Sequence, residues 1–286
     1  MAVTVADSNF KNSDWPIALA GLAAMYLPVY WWAANGIWQT DEQAHGAIIL
    51  LVTGWLFWEL RQPILLAPKA TAPRPGWICL AFGLMVYVVG RLFNISILEL
   101  ASQLPVILGT LLVLRGWSAA RAAWFPLVYI IFMVPLPGIL VDAATGPLKQ
   151  WISVIAENSL YAVGYPIARN GVVLSVGPYQ LLVADACSGL HSMFSLSALG
   201  VLLLYLKQRA GWLHNAIMLA SILPIAFFAN VVRVLVLILI TYHLGDEAGQ
   251  GYLHGSAGIA LLLIALSGLL ALDFVLARVL KTRPAA

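Results

Sequence analysis

Residues 212–243 form a nearly unbroken apolar run of about 32 residues, roughly 48 Å as a helix at ~1.5 Å per residue. That is more than a ~30 Å hydrocarbon layer requires, so a helix here must tilt, protrude or bend, with Pro224 as the expected hinge. Seven further apolar stretches lie near 16–38, 46–60, 76–93, 95–114, 122–141, 187–206 and 255–277, which makes eight in all. Only 9% of residues are charged and 62% are apolar, against about a quarter charged in water-soluble domains. The expected fold is therefore an all-α integral membrane protein of about eight transmembrane helices, with residues 1–286 as a single domain.

Basic residues set the expected orientation. With the N-terminus inside, Lys11, Arg61, Lys69, Arg74, Arg115, Arg121, Lys207, Arg209, Arg278, Lys281 and Arg283 fall on the inner side. Only Arg91, Lys149, Arg169 and Arg233 fall on the outer side or in the outer leaflet, a clear positive-inside bias. Both termini are expected to be cytoplasmic. The first fifteen residues lead into a run too long for a signal-peptide core, so no cleavable signal is expected. Basic runs are confined to short loops, which argues against nucleic-acid binding.

Residues 142–186, between the fifth and sixth spans, are expected to lie outside, on the periplasmic face. Pro147 to Ala168 has apolar residues at helical spacing beside Lys149, Gln150, Glu157 and Asn158, which predicts an amphipathic interfacial helix. Residues 170–185 then hold two short β-prone runs about Gly177–Pro178, which predicts a small hairpin.

Candidate chemistry gathers at one end of the last three spans. Cys187 precedes the sixth, at a helix N-terminus that would favour its thiolate, whereas Cys79 lies inside an apolar span and reads as packing. Arg233 lies about 21 residues, roughly 32 Å, into the seventh span, and a charge at such depth requires a partner. Asn230 shares its helical face. His254 opens the eighth span. A cysteine with a histidine is the minimum for thiolate catalysis, and an arginine can donate to a developing oxyanion. His45 opens the second span on the outer side. His191, one turn after Cys187, competes with His254 as the base. His214 falls on the cytoplasmic side and reads as unremarkable, and His243 is ambiguous. No spacing suggests a metal site, and no cofactor is expected. The rival reading is a secondary transporter or flippase using Arg233 and the histidines as a substrate or proton path, although no inverted repeat supports it.

These residues resemble the exosortase family, multispan cysteine transpeptidases of bacteria that make extracellular polysaccharide. The resemblance rests on Asp41-Glu42-Gln43-Ala44-His45-Gly46, Pro135-Leu136-Pro137, Ala186-Cys187-Ser188-Gly189, Asn230-x-x-Arg233, and His254 with Gly258. The continuation Ser192-Met193-Phe194-Ser195-Leu196-Ser197 looks most like the B type, while His191 stands where the family often has arginine. The resemblance implies a Cys187–His254–Arg233 site facing the periplasm from the inner membrane, with Asn230, His45, Ser188, Gly189 and His191 in support. It also implies protein substrates ending in a Pro-Glu-Pro motif, one transmembrane helix and a basic tail, cleaved through a thioester. The acceptor that resolves the thioester is not written in the sequence.

Overall fold

The computed structural model describes residues 14–40, 43–68, 72–135, 137–182, 189–207, 211–245 and 252–281, with the backbone alone at 138–142, 144–145, 189–193 and 252–261. The chain divides into two compact units, Met1–Pro135 and Leu136–Ala286.

The first unit is helical: α1 (Asp14–Ala34), α2 (His45–Glu59), α3 (Arg61–Leu65), α4 (Pro73–Phe93), α5 (Ser96–Ala101), α6 (Gln103–Leu114), α7 (Trp117–Ala122) and α8 (Trp124–Tyr129), with 3-10 turns at Ile37–Gln39 and Ile130–Met133. Its closest packing joins α4 to α5 and α6. Gly76, Gly83 and Gly90 recur every seventh residue along α4 and face Val113, Val106 and Glu99 in turn, an antiparallel register. A Cβ at Gly83 would stand 2.8 Å from the Val106 backbone nitrogen. Small residues serve this purpose in lipid, where apolar side chains gain little by leaving their surroundings and close van der Waals contact supplies the adhesion. The hairpin turns at Asn94, whose left-handed backbone (φ 54°) ends α4, a conformation asparagine tolerates. Cys79, inside α4, is half-buried with its thiol on the Pro105 carbonyl.

The second unit begins with α9 (Gly138–Ala162), continues through strands β1 (Ile167–Asn170), β2 (Val173–Val176) and β3 (Tyr179–Leu182), and ends with α10 (Gly189–Lys207), α11 (Trp212–Leu244) and α12 (Tyr252–Val279). The strands form one antiparallel sheet in the order β1-β2-β3. Each turn has two residues and starts on a glycine of positive φ, Gly171 (64°) and Gly177 (54°), as primed hairpin turns require. Ile152, Ala156 and Leu160, spaced by four along α9, bury one face against Ile167, Leu174 and Val176 of the sheet and Val231, Val234 and Ile238 of α11.

The exterior is apolar and much of the polarity lies inside. Leu51, Ile78, Leu92 and Trp212 are exposed, whereas Ser102, Gln103, His214 and Asn230 are fully buried. That inversion suits a lipid solvent. Among the described residues, five helical stretches are long and apolar enough to cross a bilayer: 14–39, 73–93, 96–114, 212–244 and 262–279. The other expected spans correspond to shorter apolar helices at 45–59, 124–133 and 194–207.

Three expectations are corrected. The stretch 122–141 is not one helix. It ends in the 3-10 turn at Met133, because Pro135 and Pro137 lack backbone donors and push the residue before them out of helical geometry. The amphipathic helix starts at Gly138, nine residues earlier than Pro147, and ends at Ala162, six before Ala168. Pro147 sits inside it, and Gly164 (φ 93°) with Pro166 closes it. The residues released form β1, so the expected hairpin is a three-stranded sheet. Within α11, Pro224 leaves a single continuous helix of 33 residues.

The glycine stripe gives the first test. Gly83→Val should lower stability by roughly 1–3 kcal/mol, the usual cost of overpacking. Gly21→Val, where a Cβ meets nothing within 4 Å, should lose only a few tenths to helix propensity. Thermal unfolding in one detergent compares them, and equal losses would contradict the close approach.

Candidate functional site

Three packed layers fix how α10, α11 and α12 stand against one another. Leu196, Ala226, Ala229 and Ala265 form one layer. Met218, Ile222 and Leu269, flanked by Val201 and Leu204, form the next. Farther along, the His214 imidazole lies 3.0 Å from Asp273, whose other oxygen is 3.8 Å from Lys207. These layers descend α10 and α12 while they ascend toward the start of α11, so α11 runs antiparallel to its two partners.

From the first layer, the opposite direction leads to the candidate residues. At ~1.5 Å per residue, Arg233 lies about 6 Å beyond Ala229, Gly189 about 10 Å beyond Leu196, and the His254 backbone about 16 Å beyond Ala265. The starts of α10 and α12 thus lie toward the same end of this unit as the Asn230–Arg233 stretch of α11, offset from Arg233 along the axis by about 4 and 10 Å. Asn230 is fully buried and Arg233 is 6% exposed, and both engage neighbouring residues. Their positions three apart put both on one face, offering amide and guanidinium donors to a common partner.

The sheet lies at the same end. Gly177 approaches the Tyr242 ring, and the Tyr165 hydroxyl shares a 3.1 Å hydrogen bond with His243 while its ring meets those of Tyr242 and His243 edge-on. His243, ambiguous from sequence, therefore anchors the end of α11 to the α9–β1 junction. Arg169 ties the sheet to α9 by donating at 2.9 Å to Glu157 and at 3.0 Å to the Gly171 carbonyl. Cys187 and Ser188 lie outside the described residues, five and six positions after the last strand residue, Leu182.

The remaining candidates are placed as follows. Gly189 is the first residue of α10 and His191 is in its first turn, with its side chain outside the described atoms, as is that of His254, the third residue of α12. His45 opens α2, half-buried, in the first compact unit rather than this one. His214 departs from expectation, since it is fully buried and paired with Asp273. Asp273 was missed because it is a lone carboxylate inside an apolar span. Its signal was that isolation, since a charge there must find partners.

Comparison with known proteins supplies the class. Residues 37–271 match the family model described as transmembrane exosortase. The chain belongs to the transmembrane exosortase family. No curated protein and no solved structure matches it. The match to the exosortase model spans both compact units and contains Cys187, Asn230, Arg233 and His254. Membership and the five long apolar helices make this exosortase a multi-pass membrane protein.

The sheet's hold on this end is testable. Leu174→Ala removes a fully buried side chain from the core shared by the sheet, α9 and α11, and should cost about 2–5 kcal/mol. Arg169→Ala breaks a partly exposed ion pair and should cost no more than about 1 kcal/mol. Limited proteolysis at the Gly171 turn should accelerate strongly in the first variant and slightly in the second.

Proposed function

We propose that this chain is a membrane-embedded cysteine peptidase or transpeptidase acting at the outer face of a bacterial inner membrane. Its substrates are exported proteins ending in a Pro-Glu-Pro motif, one transmembrane helix and a basic tail. The observation that carries the reading is the burial of Asn230 and Arg233 on one face of α11, where α10 and α12 begin. Membership in the exosortase family supports the substrate class, and the continuation after Ser192 favours the B type.

In this mechanism the substrate helix docks laterally in the bilayer with its basic tail on the cytoplasmic side. The Cys187 thiolate adds to a peptide carbonyl beside the motif. Arg233, with Asn230, receives the oxyanion, and such donors contribute most where water is excluded. The carbon–nitrogen bond then breaks, His254 protonates the departing amine, and a thioester remains on Cys187. His254 next takes a proton from the resolving nucleophile, which expels the thiolate and releases the product. Ser188, Gly189, His191 and His45 are supporting or substrate-binding residues in this reading.

Cys187→Ala should leave full-length tailed substrate in the membrane at an unchanged enzyme level. Wild-type enzyme should form a covalent adduct that hydroxylamine cleaves, and Cys79→Ala should process normally. Continued trimming by Cys187→Ala would exclude covalent catalysis there.

Arg233→Lys keeps the charge but loses the forked donor, and processing should fall about 10²–10³-fold, the scale of a lost oxyanion donor. His254→Ala should lose about 10²–10⁴-fold and His191→Ala far less. The reverse order would move the base onto α10. Reporter fusions at Gly177 and Gly249 should read periplasmic, and fusions at Arg74, Arg115 and Lys207 cytoplasmic.

A further inference from the structure

In the first unit α1, α2, α3 and α6 line a half-open cavity of about 440 Å³. Its wall is apolar, formed by Leu19, Gly54, Phe57, Ile107 and Leu111. The one hydroxyl in the wall, on Thr110, donates to the Val106 carbonyl at 2.8 Å. Trp15, Trp58 and Arg61 also line it. The Arg61 guanidinium is held in place, lying 4.4 Å from the Trp58 ring centroid and donating one N–H to the Trp58 carbonyl. An arginine has five such donors, and no carboxylate lines the cavity among the described residues. The place therefore joins a hydrocarbon-like chamber to a fixed cation, with two tryptophans of the kind that mark the membrane–water boundary.

We propose that this cavity is a selective site for an anionic phospholipid, with an acyl chain in the chamber and the phosphate on Arg61. Charge complementarity names the occupant. Among the described residues, the same end of the unit carries Arg74, Arg115 and Arg121 besides Arg61, against Asp14 and Glu59, a net positive field that concentrates anionic headgroups. A substrate tail helix with a basic cluster would meet like charge here. The site does not depend on the catalytic reading, since none of its residues belongs to that machinery.

Gly54 makes the test specific, because a Cβ there meets nothing within 4 Å and a larger side chain grows into open space. Wild-type protein is purified in mild detergent and titrated with phosphatidylglycerol or phosphatidylethanolamine of identical chains, and bound lipid is counted by native mass spectrometry. Wild type should retain phosphatidylglycerol preferentially. Arg61→Ala should reduce that preference about five-fold, the effect of one basic side chain at a membrane surface. Gly54→Leu should abolish the retained lipid of either headgroup while unfolding at the wild-type temperature. Gly21→Leu and Arg278→Ala serve as controls and should bind as wild type. Wild-type retention in Gly54→Leu, equal retention of both lipids by wild type, or a co-purified peptide helix in place of lipid would each overturn the proposal.

Discussion

A guanidinium carried deep along an apolar helix must be surrounded by its own protein, because hydrocarbon offers it nothing. Much of the second unit follows from that demand. Arg233 and Asn230 are covered because α10 and α12 close on α11 through layers of small and branched residues, Ala226, Ala229 and Ala265 against Leu196. Small side chains bring the backbones near enough to exclude lipid. Beyond Arg233, α9 and the sheet complete the enclosure with Leu174, Val176, Ile152 and Ala156. The charge is stabilised by geometry that hydrophobic packing supplies.

Both units combine close packing with polar ties. In the first, glycines on α4 bring backbones into contact, the Tyr26 hydroxyl pairs with Ser102, and the Tyr30 hydroxyl donates to Gln103. In the second, polar ties appear at both ends of the bundle: His214, Asp273 and Lys207 at one, and Tyr165, His243, Arg169 and Glu157 at the other. A buried pair such as His214–Asp273 contributes little net stability, because desolvation opposes attraction. Losing one partner would be costly, and such a pair fixes helix register more than it adds strength.

Much of this was legible in the sequence, for identifiable reasons. Apolar runs mark helices in lipid because no water competes for backbone groups, so most expected spans contain an apolar helix, long or short, while 122–141 is broken by its prolines. The Gly177 turn was legible because positive φ favours glycine. Arg233 stood out because charge among valines has few explanations. What failed depended on context. Pro147 is tolerated inside α9, since a proline removes one helical bond and that loss can be accommodated, so reading it as a helix start set the boundary nine residues late. β1 was hidden because Ile167 and Ala168 also fit the helical spacing of α9 until Gly164 and Pro166 intervene. The Asp273 partnership joins residues 59 positions apart, and no local pattern announces it. The sequence offers the candidate site as a set of residue types and depths, whereas the hold of the sheet on the end of α11 emerged only from the fold.

The length of α11 has a mechanical corollary. Thirty-three residues extend about 50 Å, while a bilayer core is ~30 Å thick and helices tilt by about 20° on average. Such a helix overshoots the hydrocarbon by more than a turn at one or both faces, and the sheet rests on its C-terminal end. Arg233 lies about 32 Å along that helix, so its distance from the boundary where hydrocarbon gives way to headgroups depends on the thickness of the surrounding membrane. Longer lipid chains would draw that boundary past the guanidinium and shorter ones would leave it in water. The bilayer's elasticity thereby becomes one of the parameters that set the electrostatics of this end of the protein.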